Sequence, residues 1–323
     1  MNRLATLAIV WGVIVVVLGA PAAPPASAKV FGPNGRIAFF RQDPHGNSLV
    51  YTANPDGSNE QLVFPAAAEH PHWSPDGMQI AMEVDSVANS AAVIVNPDTG
   101  AYRVMTKADP TLDLGCFVWS PDGSRLACAS VNEDDPRGTA VYTIRSSDGG
   151  DLTKVTSPGG IPGDYSPDGK RLTFIGSDAN GDLRIFAVKL NGSARVAITP
   201  SSMAADMNEE DGGSWSPSGN QIVFSARPSP DSRYALWVVN SDGSGLHQLP
   251  IAGCGGAFAD PNSIGCIYPS WSPDGTRIAY TRISSKTKIK NIYTVNPDGN
   301  GLFQVTHNGF QDFAPDWGTH PLR

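Results

Sequence analysis

The chain has 323 residues, of which 34 are Gly and 27 are Pro, and only 17% are charged. This composition excludes a helical bundle, which needs long Ala, Glu, Lys and Leu runs, and favours turn-rich all-β structure. A formal net charge of −8 argues against nucleic acid and anionic lipid headgroups as partners, because both would be repelled.

Residues 1–28 read as a secretory signal peptide. Arg3 is the only charged side chain before Lys29, Leu4 to Gly19 is apolar, and a small-residue region closes on Ala26-Ser27-Ala28. A positive start, an apolar stretch and a small-residue site predict cleavage after Ala28. The alternative is an uncleaved anchor, since the stretch approaches the length of a bilayer span. No Cys follows it closely and no later segment is apolar enough to cross a membrane. A secreted, periplasmic or envelope location is expected, with no membrane insertion after cleavage.

The remainder, 29–323, is organised by a repeat. Trp73-Ser74-Pro75-Asp76-Gly77 returns at Trp119, Tyr165, Trp215 (as Trp-Ser-Pro-Ser-Gly) and Trp271, and Pro315-Asp316-Trp317 supplies a sixth aromatic. Successive aromatics lie 46, 46, 50, 56 and 46 residues apart. Periods of this length, each holding several short strands, indicate propeller blades. Each motif precedes an apolar alternating run such as Ile80-Ala81-Met82 or Leu126-Ala127-Cys128, followed by a third strand and a short fourth. Pro121 presets φ, Asp122 suits the next turn position and Gly123 accepts a left-handed conformation, so a three-residue hairpin with a bulge is expected. The motif Asp residues are therefore turn formers. The aromatics are packing positions between blades.

The mature chain enters the repeat at its turn, Gly32-Pro33-Asn34-Gly35, and lacks the preceding strand. Phe313-Ala314-Pro315-Asp316-Trp317 supplies only that strand at the other end, so one blade is expected to be closed by both termini. Counting aromatics predicts a six-bladed all-β propeller of four-stranded antiparallel blades, acting as a monomer.

The Pro-x-Trp-Ser-Pro-Asp-Gly motif with its Ile-Ala-Phe-type strand resembles the TolB-like β-propeller family over nearly the whole mature chain. The resemblance implies six blades with the Pro-x-Trp strand nearest the axis. TolB is a periplasmic partner protein of a cell-envelope complex and carries an α/β domain ahead of its propeller, a domain not expected here. Similar propellers occur beside peptidase domains and in polysaccharide lyases, so fold alone licenses no function.

Connections between blades, and between second and third strands, share the face opposite the tight motif turns and are expected to carry the site. The between-blade loops offer Glu69, Asp113, Asp164, Glu209-Glu210-Asp211 and Asp312; the others offer Asp85, Glu133-Asp134-Asp135, Asp178 and Asp182. Converging carboxylates there would suit Ca²⁺, though no cofactor is required. His70 and His72, with Glu69, flank the predicted channel and could contact a transition metal or simply line the pore. Lys286, Lys288 and Lys290 break the acidic pattern in the last blade. Two insertions, Ser201 to Gly213 and Ile251 to Ile267, account for the longest intervals and are expected to wall a site around blades four to six. Glu209, Glu210, Asp211, Glu69, His70 and Asp312 are its candidate ligand-binding residues.

No Gly-x-Ser-x-Gly elbow or phosphate loop is present. Binding or scaffolding of an envelope protein, peptide or glycan is the first reading. A metal-assisted glycan lyase or hydrolase is the alternative. Four Cys allow three pairings, and local ones, Cys116–Cys128 across a motif hairpin and Cys254–Cys266 around the Gly-rich insertion, are expected in an exported chain.

Overall fold

The computed structural model describes residues 32–84, 90–106, 109, 111–112, 114–130, 140–156, 159–207 and 211–322. The signal peptide and its cleavage site, Asp85, Asp113, Glu133-Asp134-Asp135, Glu209 and Glu210 lie outside the described residues. Among the described residues, twenty-four strands, β1 to β24, form six four-stranded antiparallel sheets. In the first blade β24 (Gln311–Trp317) lies beside β1 (Ile37–Gln42), β2 (Ser48–Ala53) and β3 (Gln61–Leu62). The next five run in chain order: β4 (Glu69–Trp73) to β7 (Tyr102–Thr106), β8 (Leu114–Trp119) to β11 (Thr153–Thr156), and β12 (Gly160–Tyr165) to β15 (Val196–Ala197). The last two are β16 (Ser214–Trp215) to β19 (His247–Gln248) and β20 (Ile264–Trp271) to β23 (Phe303–Gln304). The inner strands β4, β8, β12, β16, β20 and β24, each ending on a motif aromatic, touch one another in sequence and close into a ring. Among the described residues no helix is long and apolar enough to cross a membrane.

The core is six layers, one between each pair of neighbouring blades. Every layer contains one motif aromatic: Trp73, Trp119, Tyr165, Trp215, Trp271 or Trp317. The last layer joins Ile37 and Phe39 of the first blade to Ala279 and Ile292 of the sixth, which makes the ring continuous.

The motif turns hold themselves together. The Ser120 hydroxyl donates to Asp122 (2.7 Å) and accepts from the Arg125 N–H (2.9 Å), while Asp122 also accepts from the Ser124 N–H (3.0 Å). Ser74–Asp76, Ser166–Asp168 and Ser272–Asp274 repeat the arrangement, and Gly123 has φ of 69° as the turn requires. Burial pushes the Asp122 carboxyl up, but these hydrogen bonds outweigh it and leave it below its ordinary value.

The hairpin register differs from the three-residue expectation in an instructive way. Trp119 faces Leu126 and the Ser120 N–H donates to the Arg125 carbonyl, so the loop has four residues, Pro121 to Ser124. A bulge between Cys116 and Val118 then shifts the ladder by one and returns Cys116 opposite Cys128. Both expected disulfides, Cys116–Cys128 and Cys254–Cys266, are formed.

Candidate functional site

The innermost strands do not run straight to the motif. The ladders of β4, β8, β12, β20 and β24 each shift register shortly before the aromatic. At three of these shifts a non-glycine residue is left-handed: His70 (φ 49°), Tyr268 (φ 54°) and Ala314 (φ 43°). Such a conformation costs about 1–2 kcal/mol per residue. It is tolerated here because the bulge aims side chains at the axis instead of along the sheet.

At four of the six repeats the residue just before the aromatic, Asp164, Ser214, Ser270 or Asp316, contributes to a polar belt that stitches neighbouring blades. Asp316 accepts from the Trp73 N–H (2.8 Å) and the Ser270 hydroxyl (3.0 Å), and Ser270 accepts from the Trp317 N–H (3.2 Å). Asp164 accepts from the Trp215 N–H (3.3 Å), and Ser214 from the Trp271 N–H (3.5 Å). Sequence reasoning passed over this belt. Its signal was available in the x position of Pro-x-Trp and its equivalents, where Asp, Ser or His stands in five of the six repeats.

Inside the ring lies an axial cavity of about 230 Å³. On the side of the between-blade loops it is lined by His70, His72, Phe117, Ile161 and Tyr268; Pro75, Pro273 and Thr319 line it on the side of the motif turns. Its loop-side mouth is strongly aromatic. The Phe117 ring stacks on His70 (5.5 Å) and His72 (5.4 Å), and His70 meets Phe40 edge-on (5.8 Å). His70 Nδ1 lies 3.3 Å from Glu83 Oε2, which fixes the ring's orientation. His70 and Tyr268 remain partly exposed.

The candidate acids fall into different environments. Glu69 accepts from the Ser48 hydroxyl at 2.5 Å, tying the second blade to the first. Asp312 is fully buried against Arg41 (2.7 Å), away from the cavity lining. Asp211 and His70 both line the axial cavity. Asp211 accepts from the Ser225 N–H and hydroxyl, each at 2.6 Å, and from the Gly213 N–H at 3.0 Å. Burial pushes its carboxyl up to about 6 despite those bonds. The folded value lies above the unfolded 3.8, so protonation favours the fold. That contribution is complete below the unfolded value and is lost as pH rises through 6. Asp178 caps its own loop through the N–H groups of Asn180 and Asp182.

The described parts of the two insertions pack against different neighbours. The first carries a short 3₁₀ helix, Ser201–Asp206, and its Met207 is buried in an inter-blade layer that Met203 also joins. The second docks on the preceding blade's loop: Arg233 N–H donates to Gly256, Phe258 N–H to Asp231, and Cys266 N–H to Tyr234. Among the described residues of the two, Asp211, Gly212 and Gly213 line the axial cavity. Among the described residues, no three His, Cys, Asp or Glu side chains converge as a metal-ligand set.

Residues 64–262 match the family described as the TolB beta propeller domain. An uncharacterized protein of Agrobacterium fabrum is 28% identical over 272 residues, covering 79% of this chain and 84% of its own length. Among solved structures, TolB from Acinetobacter baumannii superposes with a TM-score of 0.70 at 21% identity, over 88% of this chain and 66% of that one. This chain therefore spans just under two thirds of the Acinetobacter protein. A putative TolB from Agrobacterium tumefaciens gives a TM-score of 0.62 at 18% identity, over 87% of this chain and 92% of that one. Similarity at these identities is a statement about fold.

Proposed function

Because the chain belongs to the TolB β-propeller domain family, we propose that it is an exported binding module of the cell envelope that takes a protein or peptide segment at the loop-side mouth of its axial cavity. The observation that carries this reading is the division of labour around the axis. The polar groups of the belt already hold neighbouring blades together, and the partly exposed surface above them is aromatic and imidazole. Flat amphipathic rings around a preformed depression suit contact with a partner segment. Disulfides at Cys116–Cys128 and Cys254–Cys266 support maturation in an oxidising compartment.

Selection of a displayed peptide library on the intact protein tests the reading. His70→Ala and Tyr268→Ala should each weaken the selected peptides at least tenfold while leaving the melting temperature close to wild type. No enrichment, or peptides indifferent to both substitutions, would contradict it.

A further inference from the structure

The three lysines of the last blade stand on the same face as the axial mouth, in and beside the connection from β21 (Ile278–Ser284) to β22 (Lys290–Val295). The backbone of this turn is self-bonded. The Lys288 N–H donates to the Ser284 carbonyl at 2.9 Å, and the Ser284 N–H to the Ile289 carbonyl at 3.0 Å. The Ser285 hydroxyl donates to the Pro261 carbonyl, which ties the turn to the insertion closed by Cys254–Cys266. Lys286 and Lys288 project from this pinned turn and are exposed. Arg125, Arg145, Lys170 and Arg184 reach carboxylates, whereas among the described residues no carboxylate pairs with Lys286 or Lys288.

An aromatic track joins this turn to the mouth. The Lys290 ammonium lies 3.8 Å over the Phe313 ring, Phe313 stacks on Phe40 at 4.9 Å, and Phe40 meets His70 at 5.8 Å. His70 lines the axial cavity and stacks in turn on Phe117. Lys290, Phe313 and His70 are each partly exposed, so the track can be touched at both ends and between them. At about 3.3 Å per residue, about four residues of extended chain cover these steps.

Resting on the axial-mouth reading above, we propose that the partner segment is acidic. An aromatic or apolar residue of the segment packs at His70 and Tyr268, and carboxylates about four residues away meet Lys286 and Lys288. The net charge of −8 does not forbid this. Exposed charges are screened beyond roughly 8–10 Å at physiological salt, so the lysines of the turn, and not distant acids, decide what meets it. The pinned turn presents both ammonium groups in advance, which lowers the ordering cost of binding. Lysine is a mobile point charge without a fixed plane, so it meets Asp or Glu in many geometries. Phe313 is already covered by Phe40 and Lys290, which leaves ring edges for side-chain packing in place of the open faces on which sugars stack.

Selecting one random displayed peptide library on the wild type and on a Lys286→Glu/Lys288→Glu variant, and sequencing both pools, tests the assignment. The wild type is expected to enrich Asp and Glu within about four residues of an aromatic or apolar anchor, and the variant to favour Lys and Arg there. Synthetic peptides from the wild-type pool should bind the variant at least fivefold more weakly at about 50 mM NaCl, with the difference lost at about 500 mM. The wild-type pool and its salt dependence read the proposal even where the variant folds poorly. Peptides that depend on His70 and Tyr268 yet carry no acidic enrichment, or that bind a folded variant equally well at low salt, would overturn this proposal and leave the axial reading standing. No enriched peptide at all would overturn both. Oligogalacturonate that binds more tightly than the selected peptides, and loses that binding in the variant, would assign the turn to a glycan and overturn the proposal.

Discussion

Deleting residues 311 to 323 is expected to leave the protein insoluble or to lower its melting temperature by more than about 10 °C. The deletion removes β24, whose ladder with β1 runs from Ile37 opposite Trp317 to Gln42 opposite Gln311. It also removes the buried Trp317, whose indole Nε1–H donates to the Gly35 carbonyl at 2.9 Å. Beyond the strand, His320 stacks on Trp73 at 4.9 Å and hydrogen-bonds the Gly77 carbonyl at 2.7 Å, so the tail also braces the second blade. Loss of a single large core side chain costs about 2–5 kcal/mol, and domains are stable by only about 5–15 kcal/mol. At about 2–4 °C per kcal/mol for a chain of this class, the summed loss far exceeds the threshold named. Thermal melting and the soluble fraction after expression measure it. A truncated protein that melts with the intact one would show that the ring does not depend on this closure.

The second large effect is expected at Asp312. Arg41 of β1 is gripped from both sides, by Asp312 Oδ1 at 2.7 Å and by Glu60 at 2.5 and 2.8 Å. Its guanidinium also lies 4.4 Å over the Tyr51 ring. Asp312 is fully buried and receives a further bond from Asn308 at 3.0 Å. The Asp312→Ala variant leaves a buried guanidinium with half its compensation, and breaking such a pair from one side costs about 3–5 kcal/mol. A fall in melting temperature of roughly 10 °C follows. Glu60→Ala should cost less, because the Glu60 side chain is 34% exposed and solvent replaces it. An Asp312→Ala protein that melts within a degree of wild type would contradict this account of how the terminal strands are locked.

The blades were legible in the sequence because one short motif encodes three things at once: an inner strand, a self-bonded turn and a packing aromatic. The disulfide across β8 and β9 (Arg125–Ser130) was legible too, although through an incomplete count. The four-residue loop and the bulge near Phe117 cancel, so a simpler hairpin predicts the same Cys116–Cys128 pair. The bulges are not marked by Gly or Asn, but His70, Tyr268 and Ala314 each stand directly before the Pro of a Pro-x-Trp motif, a shared position that turn propensities alone do not reveal. Asp312 and Asp211 looked like loop acids because their partners are distant in the chain or unremarkable in type. Arg41 lies 271 positions from Asp312, and Ser225 is one of many serines. Charge in a loop says little about exposure when the loop dives toward an inner strand.

Position-specific photo-cross-linking tests the central claim, recognition at the axial mouth, most directly. A benzoylphenylalanine replacing Tyr268 at the mouth is compared with one replacing Phe303, which is 43% exposed on the rim strand β23. Each protein is irradiated with a peptide selected on the wild type, and the adducts are read by mass spectrometry. The expected result is an adduct from position 268 and none from 303. Adducts from 303 alone, or equally from both, would contradict recognition at the axis.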